Sequence, residues 1–116
     1  MTHLHLWCSL KADADAREFC DNVQEFLSDL YRREMIEGFN IARRDFAMDP
    51  PGLGEFHFTV DFRDARQASR TLDEIEKDDG EIAEFRKTVT AVIKDMNVAM
   101  YRDWPEPRLP RINHDR

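Results

Sequence analysis

The stretch GEFHFTVDF, residues 54–62, decides the fold. Phe56, Phe58, Val60 and Phe62 take one set of alternate positions, and Glu55, His57, Thr59 and Asp61 take the other. A period of two belongs to a β-strand, whose successive side chains point to opposite faces of a sheet. One face of this strand is hydrocarbon and needs a core. The other carries an imidazole, a hydroxyl and a carboxylate, so the sheet must have a second, more polar side.

Ahead of it, MDPPGLG (residues 48–54) holds two prolines and two glycines and reads as a turn. FNIARRDF, residues 39–46, therefore forms a hairpin partner. The N-terminal run from Thr2 to Leu10 alternates Leu4, Leu6, Cys8 and Leu10 against His3, His5, Trp7 and Ser9, a first strand with two unlike faces. MNVAMYRDW, residues 96–104, alternates Val98 and Met100 against Asn97, Ala99 and Tyr101 and forms a fourth.

Between the first two strands, Asp13 or Asp15 can cap a helix of about six turns. Its apolar positions are Phe19, Val23, Phe26, Leu27 and Leu30, and Gly38 is suited to stop it. After the third strand, Asp64 can cap a helix with Ala65, Ala68, Leu72 and Ile75 inward; the pattern breaks at Gly80 and resumes through Ile82, Phe85, Val89 and Val92. The fold class is α+β: a ferredoxin-like βαββαβ unit whose four-stranded antiparallel sheet has the order 4-1-3-2 and helices on one face. Residues 1–104 form this domain, and 105–116 form an extended, Pro-rich C-terminal tail.

Charged residues make up 35% of the 116, with a net charge of -7 and the two signs interspersed, which argues against phosphate backbones and anionic lipid as partners. No basic segment leads into an apolar run, and no apolar run approaches the roughly 18 residues of a spanning helix, so the chain reads as cytoplasmic with no nucleic-acid or membrane partner. Cys8 and Cys20 are too few for a disulfide framework and read as free thiols. Phosphate-binding glycine loops, H-E-x-x-H and the G-x-S-x-G elbow do not occur.

Chemistry is then expected on the sheet face that no helix covers. Symmetric pairing about the turn sets Arg44 opposite His57, Ala42 opposite Thr59 and Asn40 opposite Asp61, with Phe39 meeting Phe62 and Ile41 meeting Val60 behind them; a slip of two residues would preserve the same parity. With the first and third strands taken as parallel neighbours, His3, His5, His57, Arg44 and Tyr101 gather at one end of the sheet. Trp7, Ser9, Thr59, Asp61, Asn40 and Asn97 gather at the other. The candidate catalytic set is His57 as general base, Arg44 holding an anionic oxygen and Tyr101 donating a hydrogen bond. Candidate ligand contacts are His3, His5, Trp7, Thr59, Asp61 and Asn97. Three clustered histidines suit a metal, acid–base work or a subunit interface, and no metal or cofactor is assigned. Trp7, Ala42, Phe46, Ala99 and Tyr101 leave this face apolar enough to require a covering surface, so a homodimer is expected.

The strands HLHLWCSL, FNIARRDF, GEFHFTVDF and MNVAMYRDW in this order make residues 2–104 resemble the dimeric α+β barrel superfamily, and within it small bacterial stress-responsive barrel proteins. The resemblance implies two sheets packed open face to open face. It also implies ligands in the cavity between sheet and helices, or within the barrel. No family catalytic residue is carried over. The functional expectation is a homodimeric binding or stress-associated module with a possible small-molecule ligand. The alternative is a cofactor-independent isomerase, cyclase or monooxygenase using the His, Arg and Tyr cluster.

Overall fold

The computed structural model describes residues 1–45 and 52–105, so the expected turn at Pro50 and Pro51, Phe46, and most of the expected tail lie outside the described residues. The chain runs β1 (Thr2–Leu10), α1 (Ala16–Arg32), β2 (Gly38–Arg43), β3 (Phe56–Phe62), α2 (Ala65–Lys77), α3 (Glu81–Thr90) and β4 (Ile93–Arg102). The sheet order is β2-β3-β1-β4, the order expected, with the helices packed on one side.

Helix α1 begins where Asp15 accepts from the Arg17 and Glu18 amides, satisfying two of the donors that open any helix. It buries Phe19, Val23, Leu27 and Leu30. Its end differs from the expected stop at Gly38. The helix closes at Arg32, and Glu34 turns the chain at φ 62° while the Met35 amide reaches back to the Leu30 carbonyl. That early turn lets Ile36 enter the core, and Gly38 opens β2 instead.

Asp64 caps α2 as expected by accepting from the Gln67 amide. The inward face of α2 departs in part from the expected one: Ala68 is buried and Ile75 packs against the core as expected, Gln67 and Thr71 are buried as well, while Ala65 is exposed and Leu72 is 39% exposed. Polar fastening decides this. Gln67 Nε2 donates to Glu37 Oε2 at 2.9 Å, and the Thr71 hydroxyl donates to the Met35 carbonyl, tying the helix to the segment that leads into β2. Helix α3 is opened by Asp78, which accepts from the Gly80 and Ala83 amides. Between helices and sheet, Cys8, Phe19, Leu30, Ile36, Phe56 and Phe62 are the most completely buried side chains. Burial, assisted by Asp95, pushes the Cys8 thiol up to about 11, so this free cysteine is inert packing.

Two expectations about the sheet are corrected. β1 and β3 are antiparallel neighbours, with Thr2 opposite Phe62, His5 opposite Thr59 and Trp7 opposite His57. The reason is topological: a crossover through α1 makes β2 run with β1, and the hairpin then reverses the chain, so β3 between them opposes both. The hairpin register is also displaced by two residues, placing Ala42 opposite His57, Asn40 opposite Thr59 and Gly38 opposite Asp61. Phe39 accordingly meets Val60, and Ile41 meets Phe58. This slip preserves every inward side chain, so hydrophobic parity alone could not reveal it.

Candidate functional site

The uncovered face is a grid of rows across β2, β3, β1 and β4. One row is Gly38, Asp61, His3 and Tyr101; the next is Asn40, Thr59, His5 and Ala99; the third is Ala42, His57, Trp7 and Asn97. The two ends expected from parallel pairing are therefore redistributed. His3 lies with Asp61, and Trp7 lies with His57.

Side chains lean along their strands and join neighbouring rows. The His5 ring stacks on His57 with centroids 5.0 Å apart, and His5 Nδ1 and His57 Nε2 share a hydrogen bond at 2.8 Å. Trp7 lies almost parallel to His57, at 4.9 Å and 7°, and stacks on His5 at 5.7 Å. Tyr101 meets the His5 ring edge-on at 4.8 Å. Desolvation first, and His5 second, lower the His57 pKa below the ordinary imidazole value of 6.5. At neutral pH His57 is thus an uncharged imidazole held by a second ring and a parallel indole.

His3 takes no part in that hydrogen bond. Its Nδ1 lies 2.7 Å from Asp61 and its Nε2 2.6 Å from Asp103, which also accepts from the N-terminal ammonium at 3.1 Å. Only a doubly protonated imidazole can donate from both nitrogens at once, so this geometry holds the cation. The hydrogen bonds to Asp61 and Asp103 raise its pKa above 6.5. Asp103, just beyond β4, is absent from the residues expected from the sequence; it lies beside Met1, two positions along from Tyr101, which is opposite His3, and its diagonal reach to His3 appears only once β1 and β4 are paired.

Arg44 is not paired opposite His57. Its amide donates to the Glu55 carbonyl and its Nη1 donates to the Leu53 carbonyl at 2.9 Å, yet it shares with His57, Trp7 and Leu53 a hollow of about 200 Å³. Leu53 and Gly54 line that hollow, and just ahead of them the Gly52 carbonyl accepts from Asn97 Nδ2 of β4 at 3.1 Å. Among the expected set, His5, Trp7, His57 and Tyr101 come together around one centre, Arg44 borders it, and His3 and Asp61 form a separate ionic group. Thr59 lies between them, opposite His5. Among the described residues, no group of three or more His, Cys, Asp or Glu side chains is arranged to hold a metal ion.

A second cavity lies on the opposite side of the sheet, under the helices. It measures about 230 Å³, and Leu4, Leu6, Phe58, Val89 and Ile93 are among its walls. The helix layer leaves the inward-facing side of β4 uncovered, so Met96, Val98 and Met100 are 46–52% exposed, and Leu72 of α2 is 39% exposed. Leu72 and Met96 line this cavity.

Among solved structures, a protein of Arabidopsis thaliana matches with a TM-score of 0.72 at 13% identity, covering 93% of this chain and 100% of its own. A dimeric ferredoxin-like protein from Jannaschia sp. CCS1 matches at 0.67 and 9% identity, covering 88% of this chain and 98% of its own. A dabb family protein with a ferredoxin-like fold from Mesorhizobium loti matches at 0.65 and 16% identity, covering 88% and 95%. At these identities the likeness establishes the fold, the one that the order of strands and helices predicts. No curated protein matches the chain. The family of unknown function DUF6614 matches residues 1–113, and the chain belongs to it.

Proposed function

We propose that this protein is a homodimeric barrel protein that binds a small apolar molecule between its sheet and its helices. The single observation carrying this reading is the cavity of about 230 Å³ walled by Leu4, Leu6, Phe58, Val89 and Ile93. Protein interiors pack to crystal-like density, and voids large enough for an organic group are few. For scale, an engineered apolar cavity of roughly 150 Å³ stays dry and takes up benzene. Thr71 and Thr90, its hydroxyl-bearing wall residues, already donate within the fold to the Met35 and Arg86 carbonyls, so the cavity selects for hydrocarbon. The homodimer is supported by the clustered His5, Trp7, His57 and Tyr101 rings on the uncovered face, and by the dimeric state of the Jannaschia structure. Toluene added to methyl-labelled protein is expected to shift Leu4, Leu6, Val89 and Ile93 resonances while leaving surface methyls in place. Unchanged spectra up to toluene saturation would remove the proposal.

The enzymatic reading keeps one specific support: a neutral His57, hydrogen-bonded to His5, beside a hollow that Arg44 also lines. An imidazole so held can accept a proton while an arginine fork steadies an oxyanion. This reading requires solvent-reachable His57 in the assembled protein. Carbethoxylation of the native protein at pH 7 should therefore modify His57, and a His57 that reacts only after denaturation would end the catalytic reading.

A further inference from the structure

Among the described residues, one side chain that carries a charge, Arg86 of α3, lines the cavity under the helices, and it contributes its hydrocarbon stem to an apolar wall. Among the described residues the Arg86 guanidinium has neither a hydrogen bond nor an ion pair, since the acids nearest along its own helix are taken by other cations: Glu81 by Arg33 and Glu84 by Lys87. In a chain of net charge -7, an uncommitted arginine beside a hydrocarbon-walled cavity is a charge without its counterpart. Arg86 is exposed, as expected of a side chain that lays its methylenes along apolar surface and keeps its charged end in water. Leu72 and Met96, which also line the cavity, are themselves partly exposed, so apolar parts of its wall reach solvent.

We infer that the ligand is a single-chain amphiphile with an anionic head: a carboxylate held by Arg86, with a hydrocarbon tail running inward past Val89 and Ile93 toward Leu4 and Leu6. This inference rests on the binding reading above and adds the ligand's chemical class. Three features converge on it. The walls accept hydrocarbon, the guanidinium fork matches a carboxylate in two hydrogen bonds, and the size admits one short chain. A cavity half as large again as one that takes up benzene suits a tail of about six to ten carbons. A two-chain lipid would not fit.

The test compares octanoate, ionised at pH 7, with 1-octanol, which has a tail of the same length and no charge. Each is titrated calorimetrically into the full chain and into Arg86→Gln, with methyl resonances of Val89 and Ile93 reporting the site. The substituted residue is exposed, and a thermal melt confirms that the variant folds. Octanoate is expected to bind the wild type and to bind Arg86→Gln about ten-fold more weakly, the difference one charged hydrogen-bonding pair contributes. Octanol should bind both proteins within about two-fold of each other, because its head makes no ion pair. Equal octanoate binding by the two proteins, or an equal loss for octanoate and octanol, would overturn the headgroup assignment while leaving the cavity reading intact. Binding of neither compound to the wild type would overturn both.

Discussion

Two histidines on one sheet face are driven to opposite protonation states by what they touch. His57 sits against an indole and another imidazole, so burial disfavours its charge; His3 sits between two carboxylates, so hydrogen bonding favours it. The signs of the linked stability effects are opposite. His57, with a lowered folded value, contributes stability present above its unfolded value of about 6.5 and lost as pH falls toward the folded one. His3, with a raised value, contributes stability present below about 6.5 and lost as pH rises through the folded one. In a proton NMR titration the His3 ring should give a midpoint above 6.5 and the His57 ring one below it. Asp61→Asn should bring the His3 midpoint down and leave that of His57 in place. Identical midpoints for the two rings would contradict the geometry described.

Among the elements, the segment entering β3 is held tightly against β1. A Cβ built on Gly54 would lie 2.3 Å from the Cys8 carbonyl carbon, a distance real side chains do not tolerate against backbone. Gly54 is therefore required for close approach and not for an unusual φ. Gly54→Ala must push this segment away from β1, and overpacking of that kind costs about 1–3 kcal/mol, occasionally more. Gly52, at φ 86° and with open space where a Cβ would stand, presents a different constraint. Chemical denaturation should show a large loss for Gly54→Ala, and a loss below about 0.5 kcal/mol would place Gly54 elsewhere. Displacement of this segment should also disturb the hollow shared by His57, Trp7 and Arg44, so the His57 resonance is expected to move in the same variant.

For the whole molecule, the sheet has one face packed by helices and one face of rings with, among the described residues, no helix over it. Tyr101 is 53% exposed there, while Trp7 and both cluster histidines are half-buried. A second copy covering that face would close the barrel expected of this fold and bury the rings in a symmetric contact. At micromolar concentration the sedimentation mass is expected to be twice that of the chain. Trp7→Glu, which sets a charge at the centre of the face, should raise the dissociation constant about ten-fold or more. A wild-type mass equal to one chain would refute the assembly. The cavity on the opposite side of the sheet does not depend on this contact, so ligand binding and dimer formation should be separable by Arg86→Gln and Trp7→Glu.

The sequence by itself determined the element order, the sheet order and which face of each strand is hydrocarbon, because these follow from periods of two and 3.6 and from the handedness of crossovers. Phe56, Phe58, Val60 and Phe62 could only face a core, and His57, Thr59 and Asp61 only its reverse. Only the tertiary structure decided the hairpin register, since a shift of two residues exchanges like for like. It alone set His3 against Asp61 and Asp103, since that contact depends on which ends of three strands coincide. The cavity was equally out of reach of local pattern. Leu72 looked inward by helical period, yet the bonds of Gln67 and Thr71 to the chain ahead of β2 turned α2 so that Leu72 stands partly exposed at the wall of an unfilled space.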